Sequence, residues 1–345
     1  MLVLRVFRDK PTAYCAQWQQ LVRSCSIYEI KEHFRSKFLT DRRATPTFCV
    51  MAPFTEQTHA DSEVASQPQM WRQVAEFAPS VFGDLPAKGE RVAVVGCGSS
   101  WFMSMSYAAL REAAGHGESD VYAGSEFNYG RKYDRIVAIS RSGTTTEIIE
   151  LLEKTNLPTV VLTGVPDSPV TQFATKTIAM PFADEKSVLQ TRWATSALAL
   201  FRAHLGENLE KLAKDAEAAL AEDLGELVNM NQITFLGRGW TIGLAHEAAL
   251  KTRESSQFWS EAYPAMDYRH GPLSVAEPGR AVWAMGPIDE KLKADIEATG
   301  ALFESSDLDP MAQLVKAQRV AIAIAKKRGF NPDYPRNLTR SIVLA

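Results

Sequence analysis

The run Ser140-Arg141-Ser142-Gly143-Thr144-Thr145-Thr146-Glu147 places five hydroxyl side chains within seven residues. It follows the β-branched stretch Arg135-Ile136-Val137-Ala138-Ile139 and precedes a helical pattern that runs to Lys154. Hydroxyls and free backbone N–H groups at the start of a helix form an anion site. The first amides of a helix lack intrahelical acceptors and carry the positive end of its dipole. Gly143 permits the tight turn, and Arg141 adds positive charge. The plainer reading is a helix cap, with Thr144 and Glu147 as a capping box, but a cap uses only one or two hydroxyls. A phosphate cradle is therefore the expectation, completed by Ser99 and Ser100 at the corresponding turn of the preceding strand–helix unit. No Gly-Lys-Ser/Thr ending follows, so this is not a nucleotide P-loop.

Other candidates are weaker when read alone. Glu247, Lys251 and Glu254 recur at helical spacing within residues 245–258, which ordinarily means a solvated helix face with i,i+4 charge pairs. His270 stands in Arg269-His270-Gly271-Pro272-Leu273, just before a backbone break. Imidazoles commonly serve as acids and bases, and loops on rigid scaffolds often carry catalysis, although a single loop histidine is more often structural. Gly96-Cys97-Gly98 and Gly237-Arg238-Gly239 each follow a strand-like run, yet Trp101 and Ile242 occupy the position three beyond the second glycine. Such bulk opposes the close packing that a dinucleotide fingerprint needs. NAD binding is disfavoured, and no cofactor is expected.

These residues are carried by alternating strands and helices. Helical periodicity covers about 60–88; buried strands follow at 91–95, 121–122, 135–140, 159–163 and 177–180. A long helical region, roughly 187–230, separates this half from a second that opens with Gln232-Ile233-Thr234-Phe235-Leu236-Gly237. The strand–Gly-x-Gly–helix signature thus occurs twice, about 140 residues apart, and two similar α/β lobes with mainly parallel sheets are expected.

The chain of 345 residues, 46% hydrophobic and 23% charged, has room for two such lobes. A formal net charge of −3 gives no sign of a nucleic-acid or membrane partner, and no run approaches the length of an apolar transmembrane helix. Cysteines at 15, 25, 49 and 97 show no metal-ligand spacing and no disulfide framework, which suits a reducing, cytoplasmic setting and no metal site. Residues 1–50 differ in charge, with nine Lys/Arg against four Asp/Glu, whereas 51–345 hold 29 against 37. This first stretch reads as a targeting segment, a weakly structured extension, or sequence upstream of a true start at Met51. The expected division is an extension over 1–58, a first lobe over 59–215, and a second lobe with a C-terminal tail over 216–345.

Taken in order, five strings resemble the sugar isomerase (SIS) family. They are Gly96–Ser100, Ser140–Thr145, Glu247–Glu254, Arg269–Leu273, and Asn331-Pro332-Asp333-Tyr334-Pro335-Arg336-Asn337-Leu338. The isomerase half of glucosamine-6-phosphate synthase and the stand-alone phosphosugar isomerases, deaminases and deglycases are the similar members. The resemblance spans about residues 60–345. It implies two lobes, each a five-stranded parallel sheet in a three-layer αβα arrangement, with sugar phosphate bound where the lobes meet. By position it assigns Ser100, Ser140, Arg141, Ser142 and Thr145 to the phosphate. Ser99, Thr191, Lys251 and Arg340 fall to the rest of the substrate. It makes Glu254 the base that moves a proton between C1 and C2, and His270 the group that opens the sugar ring. Members usually form homodimers, with the histidine supplied across the interface.

Two departures limit the transfer. The synthase forms a Schiff base through a lysine near its C-terminus, and this chain has Arg340 at that place. A guanidinium stays protonated and cannot act as an amine nucleophile. The synthase also needs a glutaminase domain beginning with a nucleophilic cysteine, whereas this chain begins Met1-Leu2. The resemblance therefore implies an aldose–ketose isomerase or amino-sugar-phosphate deaminase working through an enediol or enediolamine on a hexose 6-phosphate. A fructosamine-6-phosphate deglycase is the enzymatic alternative, and a non-catalytic sugar-phosphate-binding regulator is the alternative from another class.

Overall fold

The structure, a computed structural model, describes residues 52–344; the expectations for residues 1–50 lie outside them. The described chain opens with helices α1 (His59–Ala65) and α2 (Gln67–Phe77). α1 starts at a capping box: Thr58 Oγ1 accepts from the Asp61 N–H, and the Thr58 N–H donates to Asp61 Oδ2. A second acceptor for the orphan amides comes from far along the chain, where the Asp333 carboxylate accepts the N–H groups of His59 (2.9 Å) and Ala60 (2.7 Å).

The first sheet follows as β1 (Val92–Gly96), α3 (Ser99–Ala113), β2 (Ser119–Ala123), β3 (Arg135–Ile139), α4 (Thr146–Glu153), β4 (Thr159–Thr163) and β5 (Lys176–Ala179). Its strand order is β2-β1-β3-β4-β5, with every neighbouring pair parallel. All five residues of β1 and of β4 are buried. Continuous apolar runs of this kind are what a parallel sheet covered by helices on both faces demands.

The helical region expected over 187–230 resolves into α5 (Arg192–His204) and α6 (Leu209–Ala221). The second sheet comprises β6 (Gln232–Gly237), β7 (Ser260–Pro264), β8 (Arg280–Ala284) and β9 (Leu302–Glu304), interleaved with α7 (Thr241–Ser256), α8 (Glu290–Glu297) and α9 (Pro310–Lys327). Its order is β7-β6-β8-β9, again all parallel. The expectation of five strands in each lobe thus holds for the first sheet and is corrected for the second, which has four among the described residues. After α9 no fifth strand forms among the described residues. The chain runs in irregular backbone towards the first sheet, where the Val188 N–H donates to Asp333 O (3.0 Å) and the Thr146 N–H to Ile342 O (3.3 Å).

One apolar cluster runs through both lobes, joining Val94, Val137 and Trp193 of the first to Phe235, Trp283 and Val315 of the second. The lobes meet where α3 crosses α7, and Gly243 permits that contact: a Cβ there would run into Phe102 O and Ser106 Oγ. Ser106 Oγ also donates to Trp240 O (2.8 Å) across the same crossing. No helix among the described residues is long and apolar enough to cross a membrane.

Candidate active site

β1 and β3 are adjacent, and the chain leaves β1 towards β2 on one side and β3 towards β4 on the other. At such a switch point the two following loops splay apart and open a crevice at the C-terminal ends of the strands, the usual ligand position in an open parallel sheet. Here the two loops are Cys97–Ser100 and Ser140–Thr145. Together with α7 and the C-terminal segment they wall a cavity of about 180 Å³.

The hydroxyl-rich loop is held in shape by its own side chains. Ser140 Oγ lies 3.4 Å from Thr145 Oγ1, and both the N–H and the hydroxyl of Thr144 donate to Ser142 Oγ (3.2 and 3.0 Å). α4 begins at Thr146 with Thr145 at its N-cap, and no side chain caps it. The Thr144–Glu147 capping box is therefore not formed. The N–H groups of Ser142, Gly143 and Thr145 have no acceptor among the described residues. Gly143 adopts φ +65°, and a Cβ there would collide with the Ser168 side chain, so glycine is required at the turn. Ser140, Ser142 and Thr145 line the cavity beside these unpaired amides, donors of the kind an anion site uses.

Ser99, Ser100, Ser140, Arg141, Ser142, Thr145, Lys251, Glu254 and Arg340 all line the cavity. α7 contributes a charged run on its inward face, contrary to the solvated reading: Glu247 and Lys251 are fully buried, and Glu254 is half-buried. Lys251 Nζ donates to Glu254 Oε2 (2.5 Å) and lies 3.6 Å from Glu247 Oε1. Neither Glu247 oxygen has a hydrogen-bond partner among the described residues. Burial pushes the Glu247 carboxyl up to about 7, against the pull of Lys251 and with a further push from Glu254. Burial opposes the charged form of Lys251 too, but the two carboxylates outweigh it and hold the ammonium above its ordinary range.

Glu247 makes stability pH-dependent in a stated direction. Its folded value lies above the ordinary 4.5, so the native state keeps a proton that the unfolded chain releases. The stability tied to that proton is whole below about pH 4.5 and is lost as pH rises through about 7. The urea midpoint should therefore fall between pH 5 and pH 8, and Glu247→Gln should flatten part of that fall. A pH profile identical in the variant would refute the assignment.

Four expected site residues sit differently from their assigned roles. Arg141 does not offer a free charge. Its Nη1 donates to Glu185 Oε2 (3.1 Å), and its Nη2 to the carbonyls of Val188 (3.3 Å) and Arg340 (3.1 Å), so Glu185 offsets the guanidinium and the pair braces two loops. Thr191 is buried and does not line the cavity, because its N–H (2.6 Å) and hydroxyl (2.8 Å) both donate to Glu185 Oε1. Arg340 Nη2 donates to both carboxylate oxygens of Asp184 (2.5 and 2.6 Å), and its Nη1 donates to Glu185 O. His270 ends a short 3₁₀ turn, Asp267–His270, and is exposed; it does not line the cavity that holds Glu254 in the same chain.

Other residues of the site were not anticipated. Gln190, one position before Thr191, lines the cavity with a buried Oε1 that has no hydrogen-bond partner among the described residues. Cys97 also lines it, and burial pushes its thiol up, so it stays neutral. Residues 338–342 close one wall. Ser341 Oγ meets the hydroxyls of Ser142 (3.0 Å) and Thr144 (2.9 Å), and the Leu344 N–H donates to Thr146 Oγ1 (2.9 Å). The many hydroxyls of 140–146 were the available signal for a partner there. Nothing local points to Ser341.

Known proteins resemble this chain in sequence and in fold. The SIS domain family matches residues 87–205. The glutamine–fructose-6-phosphate aminotransferase (isomerizing) of Sulfurisphaera tokodaii is 28% identical over 295 residues, covering 74% of this chain and 50% of the relative. The enzyme of the same name from Pseudomonas aeruginosa is 27% identical over 332 residues, covering 79% and 54%. The chain thus spans about half the length of these relatives. Among solved structures, glucosamine-6-phosphate deaminase from Thermotoga maritima superposes with a TM-score of 0.69 at 23% identity, over 83% of this chain and all of that one. Tagatose-6-phosphate ketose/aldose isomerase from Escherichia coli gives 0.67 at 18%, over 82% and 97%. Both share the fold.

Proposed function

We propose that this chain, whose residues 87–205 match the SIS domain family and which is similar to part of those aminotransferases, is an enzyme moving a proton between C1 and C2 of a hexose 6-phosphate. One observation carries the reading: a neutral hydroxyl and N–H cradle opens into the same cavity as the Glu254 carboxylate. The cradle anchors the phosphate. Glu254 takes the proton from C2 of the open-chain sugar, and the C–H electron pair becomes the C1=C2 bond of an enediol or enediolamine. The aldehyde oxygen gains a proton as the C2 hydroxyl gives one up, and return of the carbon-bound proton from Glu254 to C1, with the C2–O bond becoming the ketone carbonyl, completes the transfer. A single base serves both steps because donor and acceptor carbons are adjacent. Lys251 positions that base through its 2.5 Å bond.

The reading takes the protein as a cytoplasmic homodimer in which His270 of a second copy enters the cavity to open the ring. His270 is exposed on the loop after β7, close in sequence to the exposed apolar side chains of Trp259 and Met266, a composition suited to association. Isomerase and deaminase differ in whether C2 bears oxygen or nitrogen, and both use the same proton transfer.

Incubating the protein with glucosamine 6-phosphate, fructose 6-phosphate and fructosamine 6-phosphates, and scoring ammonia and sugar products, tests the activity directly. The anchor is tested by replacing Ser142 and Thr145 together with alanine. Each hydrogen bond to a charged group is worth about 1.5–3 kcal/mol, so KM should rise at least about ten-fold with a smaller change in kcat. An unchanged KM for the phosphorylated sugar removes the cradle from the reading.

A further inference from the structure

We infer that Gln190 selects the substrate by accepting a hydrogen bond, through Oε1, from one hydroxyl on the stretch of sugar between the phosphate and the carbons that exchange the proton. The inference rests on the proposed function and adds a specificity-determining residue to it. Most polar side chains of the cavity wall already have partners within the protein. Arg141 is held by Glu185, Lys251 by Glu254, Arg340 by Asp184, and Ser142 by Thr144 and Ser341. Two buried side-chain atoms of the wall have no hydrogen-bond partner among the described residues: Arg141 Nε, a donor, and Gln190 Oε1, an acceptor.

The place of Gln190 does not depend on its side chain. The backbone before it is fixed at Val188, whose N–H donates to Asp333 O (3.0 Å) and whose carbonyl accepts from Arg141 Nη2 (3.3 Å). Beyond it, the N–H groups of Thr191 and Arg192 both donate to Glu185 Oε1 (2.6 and 2.8 Å). The carboxamide oxygen takes no part in this clamp. A buried acceptor without a donor costs free energy that a well-placed donor recovers, and a ligand in the adjoining cavity is the available source of one.

The chemistry of the ligand narrows which donor that is. A phosphate dianion has no proton to offer, and its oxygens are served by the donors of Ser140, Ser142, Thr145 and the free amides. C1 and C2 belong to Glu254. An open-chain hexose 6-phosphate then has the hydroxyls of C3, C4 and C5 left, each able to donate. A half-turn of the amide exchanges Oε1 and Nε2, so the oxygen can face the cavity with no movement of the clamped backbone. A wall that leaves a polar group unpaired when the hydroxyl is missing rejects the lacking analogue more sharply than an apolar wall does.

Alditol phosphates test this, because they lack the carbonyl and cannot turn over. Calorimetry on the full chain would compare glucitol 6-phosphate with its 3-, 4- and 5-deoxy analogues and with the three corresponding deoxyfluoro compounds. Unphosphorylated glucitol serves as control. One deoxy analogue is expected to bind about ten-fold more weakly than glucitol 6-phosphate. The matching fluoro compound should be equally weak, because a C–F group can accept a hydrogen bond but cannot donate one. Gln190→Met keeps the length of the side chain and removes its polar end. It should bind glucitol 6-phosphate about ten-fold more weakly and show less than about three-fold further loss with the same deoxy analogue. Its urea midpoint should be unchanged or higher, since an unpaired buried group has been removed. The inference is overturned, while the proposed function stands, if every deoxy analogue binds within about three-fold of glucitol 6-phosphate, if the fluoro compound restores the affinity, or if the loss persists in Gln190→Met. If glucitol 6-phosphate binds no better than glucitol, the proposed function itself fails. Should Gln190→Met not fold, Gln190→Leu takes its place, and failure of both to fold would assign the side chain to the fold and overturn the inference.

Discussion

Replacing Glu254 by glutamine should lower kcat by a factor of about 10²–10⁴, the usual range for removing a positioned acid–base group. Glutamine keeps the shape and an oxygen for the Lys251 bond, but its amide cannot accept a carbon-bound proton. The phosphate cradle is untouched, so the affinity for a neutral sugar phosphate should stay within about three-fold of wild type. Initial rates and equilibrium binding on the same preparation separate the two effects. Loss of rate with binding intact is the signature of an interaction made in the transition state. A variant that turns over at the wild-type rate would move the base elsewhere.

The second large effect is on stability. Glu185 is fully buried and bonded to both neighbouring loops. Its Oε2 accepts from Arg141, and its Oε1 accepts from the Thr191 N–H, the Thr191 hydroxyl and the Arg192 N–H (2.8 Å). Glu185→Gln removes the charge that offsets a buried guanidinium and sets an amide N–H₂ against one of these donors. Breaking a buried pair from one side costs about 3–5 kcal/mol. Urea unfolding should show a loss of that size, with a much smaller one for Lys154→Gln, whose partner Glu150 is exposed at the surface. A loss below about 1 kcal/mol would mean that the pair is solvated and replaceable.

What the sequence disclosed about the site was contiguous. Ser140–Thr145 is a chemical object within one loop, following a strand that could be identified from its own residues, and both β1 and β3 were visible as β-branched runs. Glu254 became visible only through the order of motifs, because helical spacing of charges is ordinarily a solvent-facing pattern and here it faces a cavity. Partners remote along the chain had no local signal. Arg141 finds Glu185 44 residues away and the Arg340 carbonyl 199 residues away, so its pairing depends on the completed fold. The step from Thr191 to Gln190 is a matter of backbone direction. At φ −134° and ψ −80° just ahead of α5, Thr191 turns inward onto Glu185, and its neighbour takes the cavity wall. The missing fifth strand of the second sheet has a related cause, since the segment after α9 is drawn to the first lobe by contacts that no local pattern encodes.

That same segment sets a constraint on assembly. The first sheet is complete by residue 179, so a chain emerging from the ribosome can pair β1 through β5 and bury their apolar runs early. The α1 amides still wait for Asp333, 273–274 positions downstream, and the cavity wall waits for residues 338–342. Contacts of such separation form late, because the intervening loop must close before they yield any gain. The loop that carries the cradle is therefore in place before the segment that closes the wall over it. A nascent chain that has not yet made residues 338–342 presents a finished sheet beside an open cleft.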